Sequence, residues 1–419
     1  MTKPNARFAA VMLLDTVLGQ GRLMSEAMGG PTWDRLDPAD RAAAQRLVLD
    51  TLRGLERADR LLKPFLKKEP PLRVMNTLRL ATVELCTGGA AHGVVNEAVA
   101  VVATGRKTQG YKGLVNAVLR KVADKGPTEW PKLRLPRLPD WLRPPLVEAW
   151  GREAVMAMEA AHFAGAPLDL TAKTDPRAVA TATGGTLLPT GSVRLDTPGQ
   201  VSALPGYDAG DWWVQDAAAA LPVRLLGDVT GLAVLDMCAA PGGKTMQLAA
   251  GGAQVTALDL SKARLARVRE NLARTGLKAR CVAGDARDHQ GSYDAIVLDA
   301  PCSATGTIRR HPDLPHARTG DGIAELIGLQ VAMLDHALSL LKPGGRLVYC
   351  TCSLIPDEGE CQVVEALARH PGLTVTAPEA PGIEDGWRSE EGGLRLRPDY
   401  WPDRGGMDGF YMAVLQRAG

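Results

Sequence analysis

Two cysteines sit where a thiol could act on a ring carbon: Cys302 in Asp299-Ala-Pro-Cys-Ser-Ala-Thr-Gly306, and Cys352 in Cys350-Thr-Cys-Ser353. Each closes an apolar run, YDAIVLDA and RLVYCTC, that reads as a strand. Ligands of open α/β sheets gather outside the carboxyl ends of the strands, so both thiols are expected to face one cleft. A buried cysteine is ordinarily inert packing; two of them flanking one crevice suggest chemistry. Carbon 5 of cytosine is too weakly nucleophilic to take a methyl group directly from a sulfonium. A thiolate adding to carbon 6 turns the ring into an enamine and makes carbon 5 reactive. After transfer a base must remove the carbon-5 proton so that the first thiol can leave. Asp299 could hold the pyrimidine edge and stabilise the adduct. Residues 350 and 352 share a face of a strand, so spacing alone does not say which of them attacks.

A ligand loop stands upstream. A strand runs into Asp236-Met-Cys-Ala-Ala-Pro-Gly-Gly-Lys-Thr245 and then a helix. The glycine pair lets backbone approach a ligand, and the helix start presents free N–H groups. A phosphate-cradling loop needs glycine where Cys238 stands, and no G-x-G-x-x-G is present. Asp259 closes the second strand, where a carboxylate suits the two hydroxyls of a ribose. Without a pyrophosphate loop, S-adenosylmethionine is expected over a dinucleotide. Asp285, in Val282-Ala-Gly-Asp-Ala-Arg287, could accept an adenine amino group or simply cap a helix.

The elements that must position these residues belong to a chain of 419 residues, 45% hydrophobic and 23% charged, which excludes disordered, collagen-like and disulfide-scaffold classes. Seven cysteines with no C-x-x-C pair, and histidines without metal spacing, predict no metal site. No apolar run reaches the roughly 18 residues that cross a bilayer. The opening apolar stretch is interrupted by Asp15 with no cleavage site after it, so a cytoplasmic protein is expected. Residues 1–126 hold 20 lysines and arginines against 12 acidic residues, a net +8; the rest carries 29 against 35, a net −6. A basic module attached to an acidic one suggests polyanion binding, with a solvated helical surface as the alternative.

Apolar residues recur at helical spacing over 5–20, 41–62, 72–86, 94–103 and 113–123, so residues 1–126 form an all-helical domain. Six prolines within 127–145 mark a linker. A short helix from about 146 opens a linking subdomain to 205, whose later part shows little pattern. From 206 to 419, and clearly beyond Ala233, short apolar runs alternate with helices, which predicts an α/β domain with a mostly parallel sheet. Residues 373–377 and 410–416 read as an antiparallel pair at its edge.

The segments LDMCAAPGGKT, ALDLSKARLARVREN, AGDAR, LDAPCSATGTIRRHPD and GRLVYCTCSLIPDEGE, with WWVQDAAAAL upstream, resemble the successive motifs of the Sun (Fmu) family of bacterial RNA cytosine-carbon-5 methyltransferases. Residues 1–126, with VVNEAVAVV and GLVNAVLRKV, are similar to the NusB-like RNA-binding domain of its ribosomal member. The resemblance implies a class I, Rossmann-like methyltransferase domain. It makes Cys352 the nucleophile and Cys302 the thiol that assists product release. It assigns Cys238, Ala239, Ala240, Pro241, Gly242, Gly243, Lys244, Asp259, Asp285 and Asp299 to S-adenosylmethionine, with Lys244 beside its methionine carboxylate. Arg309 and Arg310 would contact phosphate near the flipped base, with solvated charges as the alternative. The implied substrate is 16S ribosomal RNA, at nucleotide 967, with no DNA or membrane partner. A tRNA or another rRNA cytosine, or a non-catalytic RNA-binding assembly role, are the alternatives. Two departures stand out: sulfur at Cys350, and Asp169-Leu-Thr-Ala-Lys173 where the family has Arg-x-Asn.

Overall fold

The computed structural model describes residues 5–196 and 199–418. It divides into two compact units, Met1–Gly165 with Ile308–Gly320, and Ala166–Thr307 with Asp321–Gly419.

In the first unit the helical periodicity becomes helices Ala6–Gln20, Pro38–Arg53, Leu55–Leu62, Leu72–Cys86, Ala91–Ala103 and Lys112–Glu129. Asn5 and Asp37 cap two of them by accepting from Phe8 N and Asp40 N. Their apolar faces meet in two clusters, one around Leu14, Val48 and Leu52, the other around Leu78, Val102 and Leu119. The single helix expected over 41–62 is broken at Gly54, where a Cβ would come within 2.9 Å of the Trp130 ring. The proline-rich linker begins later than expected, because the sixth helix runs through Pro127.

The helix expected from 146 is two, Arg143–Trp150 and Arg152–Ala164, parted by Gly151 at φ +82. Both belong to the helical unit, so the linking subdomain starts near 166 rather than 146. Ile308–Gly320 also packs within this unit. Arg53 Nη2 donates to the Arg309 carbonyl at 3.0 Å, Met24 N to Asp313 Oδ2 at 2.7 Å, and Trp141 Nε1 to the Pro315 carbonyl at 3.3 Å.

The second unit opens with the stretch that showed little pattern. It forms an antiparallel sheet in the order β2-β3-β1-β4 from β1 (Leu168–Ala172), β2 (Thr186–Leu187), β3 (Val193–Leu195) and β4 (Trp212–Val214). The large sheet has the order β10 (Thr374–Thr376), β12 (Phe410–Gln416), β9 (Leu341–Thr351), β8 (Tyr293–Asp299), β5 (Ala233–Met237), β6 (Gln254–Asp259) and β7 (Arg280–Ala283). Its parallel strands are β5, β6, β7, β8 and β9. β12 lies antiparallel between β9 and β10, the edge pair anticipated from sequence. β11 (Leu394–Leu396), which the sequence did not suggest, also pairs with β12.

Alternation along the strands sorts the core into two layers. Val234, Val297, Val348 and Cys350 pack on one face with Leu221 and Leu248. Leu235, Leu298, Tyr349 and Tyr411 pack on the other with Leu334 and Val363. Both faces are thus covered by helices, and the carboxyl ends of four neighbouring strands, β8-β5-β6-β7, are left to build a site. Among the described residues no helix is long and apolar enough to cross a membrane.

Candidate active site

Each of those four strand ends carries an aspartate: Asp299, Asp236, Asp259 and Asp285. Asp259 is buried; its oxygens accept from Ala240 N at 3.1 Å and Ser261 N at 2.9 Å, which ties β6 to the loop after β5. That loop turns sharply, with Cys238 at φ +62 and Gly242 at φ +105. Cys238 is one of three non-glycine residues at positive φ among the described residues, a conformation held by the surrounding packing. Asp285 caps the short turn Ala286–Asp288 and is paired with Arg287 at 2.6 Å. The capping alternative therefore holds as geometry, with the carboxylate still at the strand end.

Asp236 is fully buried. Thr245 Oγ1 donates to one oxygen, and the other has no partner among the described residues. Burial pushes its carboxyl up to about 7, opposed by the Thr245 hydroxyl and Lys244 and reinforced by Asp299 and Asp259. A carboxyl raised in the folded state favours folding below its unfolded value near 4 and loses that contribution as pH rises through 7. The ligand-free protein is therefore expected to lose up to roughly 4 kcal/mol between pH 4 and 8 through this group. Thermal melts at pH 5 and pH 8 check it: Asp236→Asn should narrow the difference, and an equal drop in both proteins would refute it.

Lys244, at the start of the helix Gly243–Ala250, is buried with its ammonium 2.7 Å from Asp299 Oδ2. Burial works against the charge, but Asp299 beside it outweighs this and holds the ammonium above its ordinary range. In this geometry the Lys244 ammonium is paired with Asp299 at the end of β8. Asp299 Oδ1 accepts from Cys350 Sγ at 3.6 Å, in keeping with the β8–β9 register that sets Asp299 beside Cys350. Cys350 is fully buried in the sheet, and burial pushes its thiol well above the ordinary range.

β9 ends at Thr351, so Cys352 lies just beyond the ladder, half-buried, with its sulfur 3.5 Å from that of Cys302. The hydrogen bond to Cys352 and burial push the Cys302 thiol well above its ordinary range, and Glu358 adds to this. The Cys302 loop turns back through Ala304 at φ +57 and closes on backbone at Gly306, where a Cβ would meet the Gly409 carbonyl at 1.9 Å.

The structure thus sets Cys302 against Cys352 and Lys244 against Asp299, with Asp236 within electrostatic reach of Lys244, Asp299 and Asp259. Arg309 is not among them: it is fully buried within the helical unit, so the surface reading of this residue is corrected, since no phosphate reaches a group at 0% exposure. Arg310, half-buried in the same segment, belongs to that unit too. The sequence reading missed Glu358, a buried carboxylate beneath both cysteine loops. An acidic residue two positions before the helix Glu360–Arg369 reads as an ordinary helix start.

Residues 224–416 match the family model described as 16S rRNA methyltransferase RsmB/F, and residues 4–124 match the NusB family. The ribosomal RNA small subunit methyltransferase B of Vibrio cholerae is 36% identical over 99% of this chain and 98% of its own, and that of Sodalis glossinidius 35% over 91% and 94%. The chain belongs to the RsmB/F family. A crystal structure of PH0851 aligns over all of both chains with a TM-score of 0.75 at 22% identity, a likeness of fold. A methyltransferase homolog from Pyrococcus horikoshii covers 66% of this chain and 94% of its own at 27% identity and a TM-score of 0.56. The RsmB/F match spans β5 to β12 and both cysteine loops, and the NusB match falls in the helical unit. As a member of that family the protein is a methyltransferase.

Proposed function

We propose that the protein methylates carbon 5 of a cytosine in 16S ribosomal RNA, at nucleotide 967, through a covalent adduct with Cys352. The observation that carries this reading is the sulfur pair: two thiols 3.5 Å apart beyond the ends of adjacent strands. Cys352, half-buried just beyond the end of β9 and the nucleophile by family resemblance, gives up its proton to solvent and shares its electron pair with carbon 6. As that S–C bond forms, the ring's double-bond electrons make carbon 5 nucleophilic. Asp299, steered by Lys244, accepts from the pyrimidine edge and stabilises the adduct. Cys302, having lost its own proton to solvent, takes the one on carbon 5 as a thiolate; the C–H electron pair reforms the ring double bond, and Cys352 leaves as thiolate with the electrons of its bond to carbon 6.

S-adenosylmethionine fits the strand ends and supplies an electrophilic methyl group. The carboxylates of Asp259 and Asp299 at neighbouring strand ends suit a ligand bearing a sulfonium and an ammonium. Asp259 can take the ribose hydroxyls through lone pairs that its two amide donors leave open. Bisulfite sequencing of RNA from cells with and without the gene tests the reading. One cytosine of the small-subunit RNA should lose protection when the gene is absent; an unchanged small-subunit RNA would overturn it.

The helical unit is the RNA-gripping part of this proposal. Arg106, Lys107, Lys112, Arg120, Lys121 and Lys125 are all exposed on or beside its last two NusB-like helices. Neutralised phosphates release counterions, so each contact adds about 0.7 to 0.9 to the slope of log affinity against log salt. Replacing Arg106, Lys107, Lys112 and Arg120 by glutamine should lower that slope by roughly 3. Filter binding from 50 to 400 mM salt checks it, and equal slopes would mean a merely solvated surface.

A further inference from the structure

Resting on that reading, we infer that Glu358 is a positioning residue: its carboxylate clamps the loop after Cys302 to the loop after Cys352 and sets the distance between the two sulfurs. Glu358 is fully buried. Its Oε1 accepts from Ser303 N at 2.8 Å and Gln330 Nε2 at 3.0 Å, and its Oε2 from Ser353 Oγ at 2.6 Å and from Ser303 Oγ. Ser303 directly follows Cys302, and Ser353 directly follows Cys352. One side chain thus bonds the neighbour of each thiol.

Glu358 is itself fixed to β9, because its carbonyl accepts from Tyr349 OH at 2.9 Å and Thr351 Oγ1 at 3.0 Å. The strand that carries Cys352 therefore reaches across to the Cys302 loop through this one residue. Backbone completes the seam: Gly306 N donates to the Cys352 carbonyl at 2.9 Å, and Leu354 N to Thr305 Oγ1 at the same distance.

The residue type follows from the donors. A backbone N–H, two hydroxyls and an amide N–H all point at the carboxylate, and only a group with two acceptor oxygens and no hydrogen of its own serves all four. Glutamine would keep the size and set an NH2 against donors. Hydrogen bonds to an ionised acceptor are short and strong, which suits a part whose task is to fix a distance. Addition at carbon 6 and proton removal at carbon 5 act on neighbouring ring atoms, so both sulfurs must be within reach of one base. Misplacement of reacting groups by about 1 Å costs on the order of a hundredfold in rate.

The experiment compares wild type, Glu358→Gln and Ser303→Ala in the full chain. Methyl transfer from radiolabelled S-adenosylmethionine to 16S RNA should fall roughly a hundredfold in Glu358→Gln and by about tenfold in Ser303→Ala, with KM for both substrates within about threefold of wild type. RNA adduct formation in a Cys302→Ala background should slow by a similar factor when Glu358→Gln is added. A second readout needs no RNA: the rate at which diamide joins Cys302 to Cys352, followed by peptide mass. Two thiol protons and two electrons pass to diamide, which becomes the hydrazine, and the rate reports sulfur spacing directly. It should drop at least tenfold in Glu358→Gln. Wild-type kcat in the variants with a lowered melting temperature, or an unchanged diamide rate, would overturn the proposal. If wild type itself transfers no methyl to RNA, the functional reading fails while the diamide rate still judges Glu358.

Discussion

Cys352→Ala will transfer no methyl group and form no covalent RNA complex, whereas Cys302→Ala will accumulate an adduct that survives denaturing electrophoresis. Without the sulfur beyond the end of β9 nothing adds to carbon 6, and carbon 5 stays inert. Without Cys302 addition and transfer proceed, but nothing removes the carbon-5 proton, so the S–C bond persists. Cys350→Ala tests the alternative left open by strand geometry. Cys350 lies in the ladder opposite Asp299 and Met412, fully buried, and its loss removes a weak donor to Asp299 and leaves a small void. That variant should turn over within a fewfold of wild type. Packing loss alone would lower the activity of Cys302→Ala and Cys352→Ala alike, so opposite phenotypes decide between chemistry and stability. An adduct from Cys352→Ala and none from Cys302→Ala would reverse the assignment.

Cys302 and Cys352 were legible because each ends a strand, and open sheets gather ligands at those ends. Cys350 could not be separated from Cys352 by the same logic: both lie on the face that packs with Val348. What separates them is where the ladder stops, at Thr351, a matter of pairing with β12 rather than of local sequence. Arg309 misled for a related reason. Two arginines in a polar loop read as surface, and only the packing of Ile308–Gly320 into the helical unit buries the first of them. Glu358 left no trace because its partners, Ser303 and Gln330, are 55 and 28 residues away. Residues 165–212 were opaque because β2, β3 and β4 have two or three residues each, too short for alternation to register.

The same distance in sequence hides the ion pair with the largest expected effect on stability. Arg194→Met should lower the melting temperature of the α/β unit by roughly 10 °C. Arg194 and Asp169 face each other across β3 and β1 in a two-pronged pair at 2.7 Å, with side chains 3% and 0% exposed. Removing one partner of such a pair leaves the other charged and dry, which costs about 3–5 kcal/mol. For a unit of about 240 residues that converts to 2–4 °C per kcal/mol. Replacing both residues by apolar ones, often harmless for a buried pair, should not rescue the protein here. Arg194 also donates to the carbonyls of Arg404 and Gly406, and Asp169 accepts from Ala217 N, so the double variant strands three backbone groups. The pair therefore pins the small sheet, the start of the helix Ala217–Arg224 and the loop before β12 to one another, from the position where the family resemblance leads one to expect Arg-x-Asn. Melts of Asp169→Leu, Arg194→Met and the double variant form the cycle that measures this coupling. A double variant as stable as wild type would mean that the backbone groups find water or other partners, and that the pair is packing rather than a staple.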